Sequence, residues 1–272
     1  MSQEKFFRPE KKREEGGGER IQEILRRTVR MAFHILFLIF FFLAGHQLYV
    51  RLLEDSFFRV KKVEIKGRRK IPEKTILSLA RIEGMPNLFT LPLKEISGRV
   101  EVHPWVESVN VRKVFPDRVL IHIEERKPMA ILQLEEPFYI DSNGVIFSRV
   151  GDRDEYNFPF LTGLSRQAFD KDPAVARHLI TKALEFLRIA DQERGSPLEG
   201  ISEIRMEKSF GIQCFTQAEG VEVRMGWDHF GEKLRRLSLI WTDLQKRGVT
   251  ATSVDCSDLR RMVVRKNSRR SN

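Results

Sequence analysis

MAFHILFLIFFFLAGHQLYV, residues 31–50, is a run of twenty residues without a formal charge, and it decides what the rest of the chain has to be. As a helix rising 1.5 Å per residue it spans about 30 Å, the thickness of a bilayer's hydrocarbon core. Its apolar residues fall on every face, whereas the core helix of a soluble protein carries a stripe. The polar members His34, His46 and Gln47 lie toward the ends, and Tyr49 stands where an interfacial aromatic residue belongs. The stretch from Met31 through Phe37 and Phe41 to Val50 is therefore expected to anchor the chain in a lipid bilayer. A cleaved signal peptide fits less well. Its charged leader would be thirty residues long, and cleavage after Ala44 would put Phe42 where a small residue is wanted.

Upstream, residues 1–30 hold nine basic and six acidic side chains and few apolar ones, with Gly16-Gly17-Gly18 among them, which predicts a flexible tail. Arg26, Arg27 and Arg30 crowd the near flank of the anchor, while Arg51 and Arg59 on the far side are accompanied by Glu54 and Asp55. That asymmetry predicts a cytoplasmic N-terminus. Widening each flank to twenty residues reverses the count slightly, through Lys61, Lys62, Lys66, Arg68, Arg69 and Lys70, which are assigned to a folded domain. The net charge of +10 is spread over both signs and gathers only near the termini, so it does not call for nucleic acid.

Downstream, the periodicities change. Val63 and Ile65 alternate with charged residues as a strand does, and Gly67 closes it. Pro72 suits a helix's first turn, with Ile76, Leu79 and Ala80 on one face and Gly84 at the end. Leu93, Ile96 and Val100 mark a second helix that Pro104 stops. Val109 and Val111, a Pro116-Asp117 turn, and Val119, Ile121 and Ile123 then read as a hairpin. The order is β-α-α-β-β over residues 57–127.

A second unit, residues 128–266, opens with Phe138-Tyr139-Ile140, the Asp141-Ser142-Asn143-Gly144 turn and Val145-Ile146-Phe147. Asp172 and Pro173 begin a long helix along Ala176, Ile180, Ala183, Leu187 and Ala190, broken at Gly195-Ser196-Pro197. Strands over 201–207, 210–216 and 221–225 follow. A last helix over 231–247 carries Leu234, Leu237, Trp241 and Leu244 on one side, with Gly248 in the C′ position. Strands over 249–254 and 262–265 precede a basic tail, 267–272. The fold class is α+β: one N-terminal membrane helix, then a small α/β domain, then a mixed sheet domain. The two cysteines, Cys214 and Cys256, carry no disulfide framework. Two buried thiols are the simpler reading and a single bridge the alternative.

Several of these stretches resemble the FtsQ/DivIB family of bacterial cell-division proteins, in the family's order from Phe57 to Arg265. They are Val60-Lys61-Lys62-Val63-Glu64-Ile65-Lys66-Gly67, His103-Pro104-Trp105-Val106, Val109-Asn110-Val111-Arg112-Lys113-Val114-Phe115-Pro116-Asp117 and Ile123-Glu124-Glu125-Arg126-Lys127-Pro128. Tyr139-Ile140-Asp141, Phe158-Pro159-Phe160-Leu161-Thr162-Gly163, Met225-Gly226, Lys233-Leu234 and Val254-Asp255 continue the match. The resemblance implies a POTRA domain, a β domain and a divisome scaffold without catalysis. It also implies FtsB-like and FtsL-like single-pass partners, and through them the septal peptidoglycan synthase. One departure is Asp255-Cys256-Ser257-Asp258-Leu259-Arg260, where the family has an Asp-Leu-Arg type tripeptide. Partner contact is expected along Val254, Asp255, Met262, Val263, Val264 and Arg265, by strand addition to a sheet edge.

Enzymatic readings find little support. His103 has no Ser or Cys nucleophile in a local motif, and Pro104-Trp105 beside it reads as a helix stop and an apolar anchor. Asp141 with Asn143-Gly144 is a turn. The histidines lack paired ligand spacing, the glycine run lacks the Lys-Ser/Thr of a phosphate loop, and no cofactor or metal is called for. Two rival functions stay open at this level. A POTRA-bearing envelope transport or assembly component would continue into a barrel, for which two long helices leave too few strands. An anchored envelope hydrolase would depend on an acidic residue or His103.

Overall fold

The computed structural model describes residues 17–151, 154, 157–193, 200–218 and 220–266. Helix α1 (Gly17–Glu54) is 38 residues long and outruns the uncharged stretch at both ends. The part over 17–30, expected as tail, is helical. Glu23 and Arg27 pair across one turn at 3.0 Å, the Thr28 hydroxyl donates back to the carbonyls of Ile24 and Leu25, and Glu, Gln, Leu and Arg are good helix formers. The tail expected over 1–16 lies outside the described residues. Along the apolar stretch the side chains face outward, Phe42 to 74%. Among the described residues α1 is the one helix long and apolar enough to cross a membrane.

The next elements are β1 (Lys62–Lys66), α2 (Glu73–Ala80), α3 (Leu93–Glu101), β2 (Val106–Val114) and β3 (Arg118–Glu125), in the expected β-α-α-β-β order, with the sheet ordered β1-β3-β2. Gly67 is required where it stands: its φ is +86°, and a Cβ there would lie 2.0 Å from the carbonyl oxygen of Ile123. Helix α2 departs from expectation at both ends. Pro72 is its N-cap, and Arg81, at φ 50°, takes the left-handed cap position ahead of Gly84.

Two compact units divide the chain. The first comprises the chain up to Glu64, with Ile82–Leu93 and Arg112–Leu120. In it Val60, Leu88, Leu91, Val119 and Leu120 are buried. The Val60 N–H donates to the Pro86 carbonyl and the Lys61 N–H to that of Asp117.

The second unit comprises Ile65–Arg81, Lys94–Val111 and everything from Ile121 onward. It contains β4 (Pro128–Gln133), β5 (Pro137–Asp141), β6 (Ile146–Arg149), β7 (Phe160–Thr162), α4 (Arg166–Lys171), α5 (Pro173–Gln192) and β8 (Ile201–Glu207). These are followed by β9 (Gly211–Thr216), β10 (Glu222–Gly226), α6 (Phe230–Lys246), β11 (Ala251–Asp255) and β12 (Val263–Lys266). They build a nine-stranded sheet ordered β12-β11-β10-β9-β8-β7-β4-β5-β6. Pairing is antiparallel except at β4–β7, β7–β8 and β10–β11. Parallel neighbours need a crossover, and α4 with α5 supplies one and α6 another. The Asp172 carboxylate caps α5 through the Val175 N–H, with Pro173 in the first turn. The break expected at Gly195-Ser196-Pro197 lies outside the described residues. Helix α6 ends with Gly248 at φ 65° and the Val249 N–H reaching back to the Leu244 carbonyl, a Schellman cap.

The large core lies between α5, α6 and one face of this sheet. A row of strand neighbours, Val264, Val254, Val223, Cys214 and Ile204, faces into it. Cys214 and Cys256 are free thiols buried there. Burial pushes the Cys214 thiol well up, and that of Cys256 up to about 12. Toward the other end of the sheet a second cluster forms from Ile131, Tyr139 and Val150 with Trp105, Phe147, Phe158 and Phe160.

Trp105 is only half-buried. Expected to anchor its own small domain, it packs instead on β5 and β6, 5.2 Å from the Tyr139 ring and 5.1 Å from that of Phe147. Lys70 Nζ sits 4.1 Å above the indole. Nearby, Arg126 donates to the Asp141 carboxylate at 2.5 Å, with little of either side chain exposed. The other Asp141 oxygen accepts from the N–H groups of Asn143 and Val145, so the expected turn also pins two segments together. Burial works against the charge on Glu125, but N–H groups of Ile71, Lys70 and Arg69 outweigh it and hold its carboxyl below the usual range.

Candidate partner-binding edge

Strand β12 is the terminal strand of the nine-stranded sheet. It pairs antiparallel with β11 in the register Val254 opposite Val264 and Asp255 opposite Val263, with a bulge at Thr252 between the pairs of Ala251 and Ser253. The two-residue period then separates the residues expected to meet a partner. Val254 is fully buried, so it supports the edge from beneath and offers it no surface. Val264 and Met262 pack half-buried against the same core. Val263, 49% exposed, and Arg265 point the other way, toward solvent.

On that outer face Val263 heads a row through Asp255, Arg224 and Gln213 to Arg205. Arg265 heads another through Ser253, Glu222 and Phe215 to Glu203. The ion pairs lie along strands, Arg224 to Glu222 at 2.8 Å and Arg205 to Glu203 at 3.4 Å. Burial opposes the charge on Asp255, but bonds from the Ser257 N–H and hydroxyl prevail and keep its carboxyl below the usual range. Asp255 thus stays ionised beside Val263 at neutral pH. The segment 256–262, where the sequence departs from the family tripeptide, is tied down by an Arg236 bond to the Leu259 carbonyl and an Arg260 N–H to Asp258 bond.

An edge strand presents a row of backbone N–H and C=O groups, which a partner strand can meet in register, with side chains setting the choice. At four residues, and with Arg265 and Lys266 on it, β12 is short and charged enough to discourage indiscriminate pairing. The charged rows beside it were not singled out from sequence. The alternation of Glu222 and Arg224 with Val223 and Met225 was the available signal. His103 takes a structural part, its Nδ1 accepting from the Trp105 N–H. Lys233, from the Lys233-Leu234 motif, is buried and donates to the Met225 carbonyl at 2.9 Å.

Comparison with known proteins adds what geometry does not contain. Residues 58–126 match the POTRA domain of FtsQ type, and residues 130–260 match the C-terminal domain of cell division protein FtsQ/DivIB. The second match stops short of β12. The cell division protein FtsQ of Syntrophotalea carbinolica is 34% identical over 214 residues, covering 79% of this chain and 76% of that one. FtsQ of Geotalea daltonii is 28% identical over 82% of this chain and 81% of its own. FtsQ of Myxococcus fulvus is 31% identical over 71% and 68%. With both folded domains matched in order behind one apolar helix, this chain belongs to the FtsQ/DivIB family of cell division proteins.

Proposed function

We propose that the chain is a non-catalytic scaffold of the division machinery, anchored by α1 with its N-terminus in the cytoplasm and concentrated at the septum. Its POTRA domain spans 57–127 and its β domain 128–266. It binds FtsB-like and FtsL-like single-pass proteins and through them positions the septal peptidoglycan synthase. The observation that carries this reading is the terminal place of β12, which leaves one side of a strand for a partner's backbone. Val263 and Arg265 stand on its outer face. No covalent step is required, because the work is recruitment.

Successive residues of a strand aim their N–H groups to opposite sides, so Val263→Pro and Val264→Pro delete bonds on different edges of β12. One variant is expected to lower the melting temperature, and the other to abolish capture of an FtsB-like protein while unfolding stays cooperative. Normal capture by both would refute the proposed surface. A reporter active only outside the cytoplasm, fused after Asn272, is expected to be active, and the same reporter fused before Met31 to be silent. The reverse pattern would refute the orientation.

A further inference from the structure

The unit that contains α1 carries an exposed aromatic patch. Phe57 and Phe58 meet edge to face at 5.1 Å, as do Phe58 and Phe89 at 5.1 Å, and the Phe89 and Phe115 rings lie tilted at 5.5 Å. Phe57 and Phe115 are each 55% exposed, and Met85 65%. Contiguous apolar surface of this kind is unusual where only water faces it.

Its position relative to α1 is fixed by hydrogen bonds. The Asn87 side-chain amide donates to the carbonyls of Leu52 and Leu53 at 2.9 and 2.8 Å, capping the end of the helix. The Asn87 side chain also receives the Phe89 N–H, and Asn87 bridges to Arg59. The uncharged stretch of α1 stops at Val50 and the helix at Glu54. Four residues are about 6 Å of helix. A headgroup layer is roughly 5–7 Å deep, half the difference between a bilayer's total and hydrocarbon thickness. The loop that carries Met85 and Phe89 is therefore pinned at headgroup depth whenever the uncharged stretch fills the hydrocarbon core. Phe57 follows Glu54 by three residues of chain. Lys113 donates to the Phe89 carbonyl at 2.9 Å, an amphipathic side chain of the kind that suits an interface.

We propose that Phe57, Phe89, Phe115 and Met85 lie in the bilayer interface beside α1, a second membrane contact that holds this unit against the lipid surface. The proposal rests on α1 as a membrane anchor, and its occupant is the bilayer itself. Apolar side chains at the headgroup boundary gain burial there, and a helix and a patch held together by Asn87 enter the same surface jointly.

The test uses the full chain carrying Phe115→Cys or Met85→Cys, labelled with an environment-sensitive nitrobenzoxadiazole. Cys214 and Cys256 are buried, so the introduced thiol is the one that reacts. The labelled chain is reconstituted into vesicles of phosphatidylethanolamine and phosphatidylglycerol, with or without a lipid bearing a doxyl quencher near its headgroup. At both positions emission is expected to be lost to the doxyl lipid and protected from iodide in the water. Free access of iodide with no effect of doxyl lipid, in vesicles that hold the chain through alkaline carbonate, would overturn the proposal and leave the anchor standing. Release by carbonate would overturn both. Protection from iodide that appears only when a partner protein is added would also overturn it, by assigning the patch to a protein.

Discussion

At its β6 end the nine-stranded sheet is closed over on one face by side chains that come from outside it, whereas on the outer face at β12 Val263 stands open to water. Over β5 and β6 lie the Trp105 indole with Lys70 above it, and Arg126 reaches the buried carboxylate of Asp141. Each of these joins residues far apart in sequence, and all lie within one compact unit. At the opposite end, past a bulge, stand four residues with Val263 open to water. Distributed this way, stability and availability do not compete. One end is held by ring packing and a nearly buried ion pair, and the terminal strand at the other is short and carries Arg265 and Lys266.

The largest expected effect that could break this comparison is at the closed end. Asp141→Ala leaves Arg126 nearly buried without its partner and removes the acceptor for two turn N–H groups, which predicts a loss of about 3–5 kcal/mol. Urea unfolding of the full chain in micelles measures it, and a loss near zero would mean that the closed end holds nothing. Trp105→Ala comes next. A fully buried tryptophan would cost about 3–5 kcal/mol, but this one is half-buried and contributes mainly ring contacts and the Lys70 cation, so roughly 1–3 kcal/mol is expected. An unchanged melting transition would assign the tryptophan to binding instead.

Glu125→Gln sharpens the same end through pH. The folded-state pKa of Glu125 is depressed, so its contribution is complete above the unfolded-state value and is lost as pH falls through the folded-state value. The stability gap between the native chain and Glu125→Gln is expected at neutral pH and should narrow as pH falls below the ordinary glutamate value of about 4.3. No gap at neutral pH would show that the N–H groups of residues 69–71 hold an amide as well as a carboxylate, and a gap that does not change with pH would show that charge is not its cause.

Much of this architecture was legible because period and punctuation agreed. The alternation in β3 and the Asp172-Pro173 start of α5 placed those elements, as did Gly248 after α6. The elements that escaped lacked such signals. In β4 the run Ala130-Ile131-Leu132 is buried on both faces, so no alternation marks it. In β7 only three residues pair, and α4 is six residues long behind a Ser165 cap. The interactions that close the β6 end were illegible for a different reason. Nothing local distinguishes an arginine at 126 that will meet an aspartate at 141 from one that will meet water. The edge fared better, since chain order put β12 last, yet the sequence could not separate Val254 from Val263. That separation needs the register.

The smallest expected effect tests the open end. Val263 and Val264 are neighbours with the same side chain, but the register sends Val264 toward Val254 and the core and leaves Val263 on the outer face beside Asp255. Val264→Ala removes methyl groups from a half-buried contact and is expected to cost about 1 kcal/mol. Val263→Ser removes little that the folded chain uses, so its stability should change by less than about 0.5 kcal/mol in either direction. Unlike a proline at the same place, serine keeps the backbone N–H, so any loss of partner capture by Val263→Ser isolates the side chain from the strand's hydrogen bonds. Weakened capture with unchanged melting would place Val263 at the centre of the contact. Full capture would mean that the backbone alone attracts the partner and that choice is exercised elsewhere, along the charged rows that run through Asp255 and from Arg265. If instead Val263→Ser destabilises the chain as much as Val264→Ala does, β12 is enclosed by something within the chain, and the contrast between the two ends of the sheet fails.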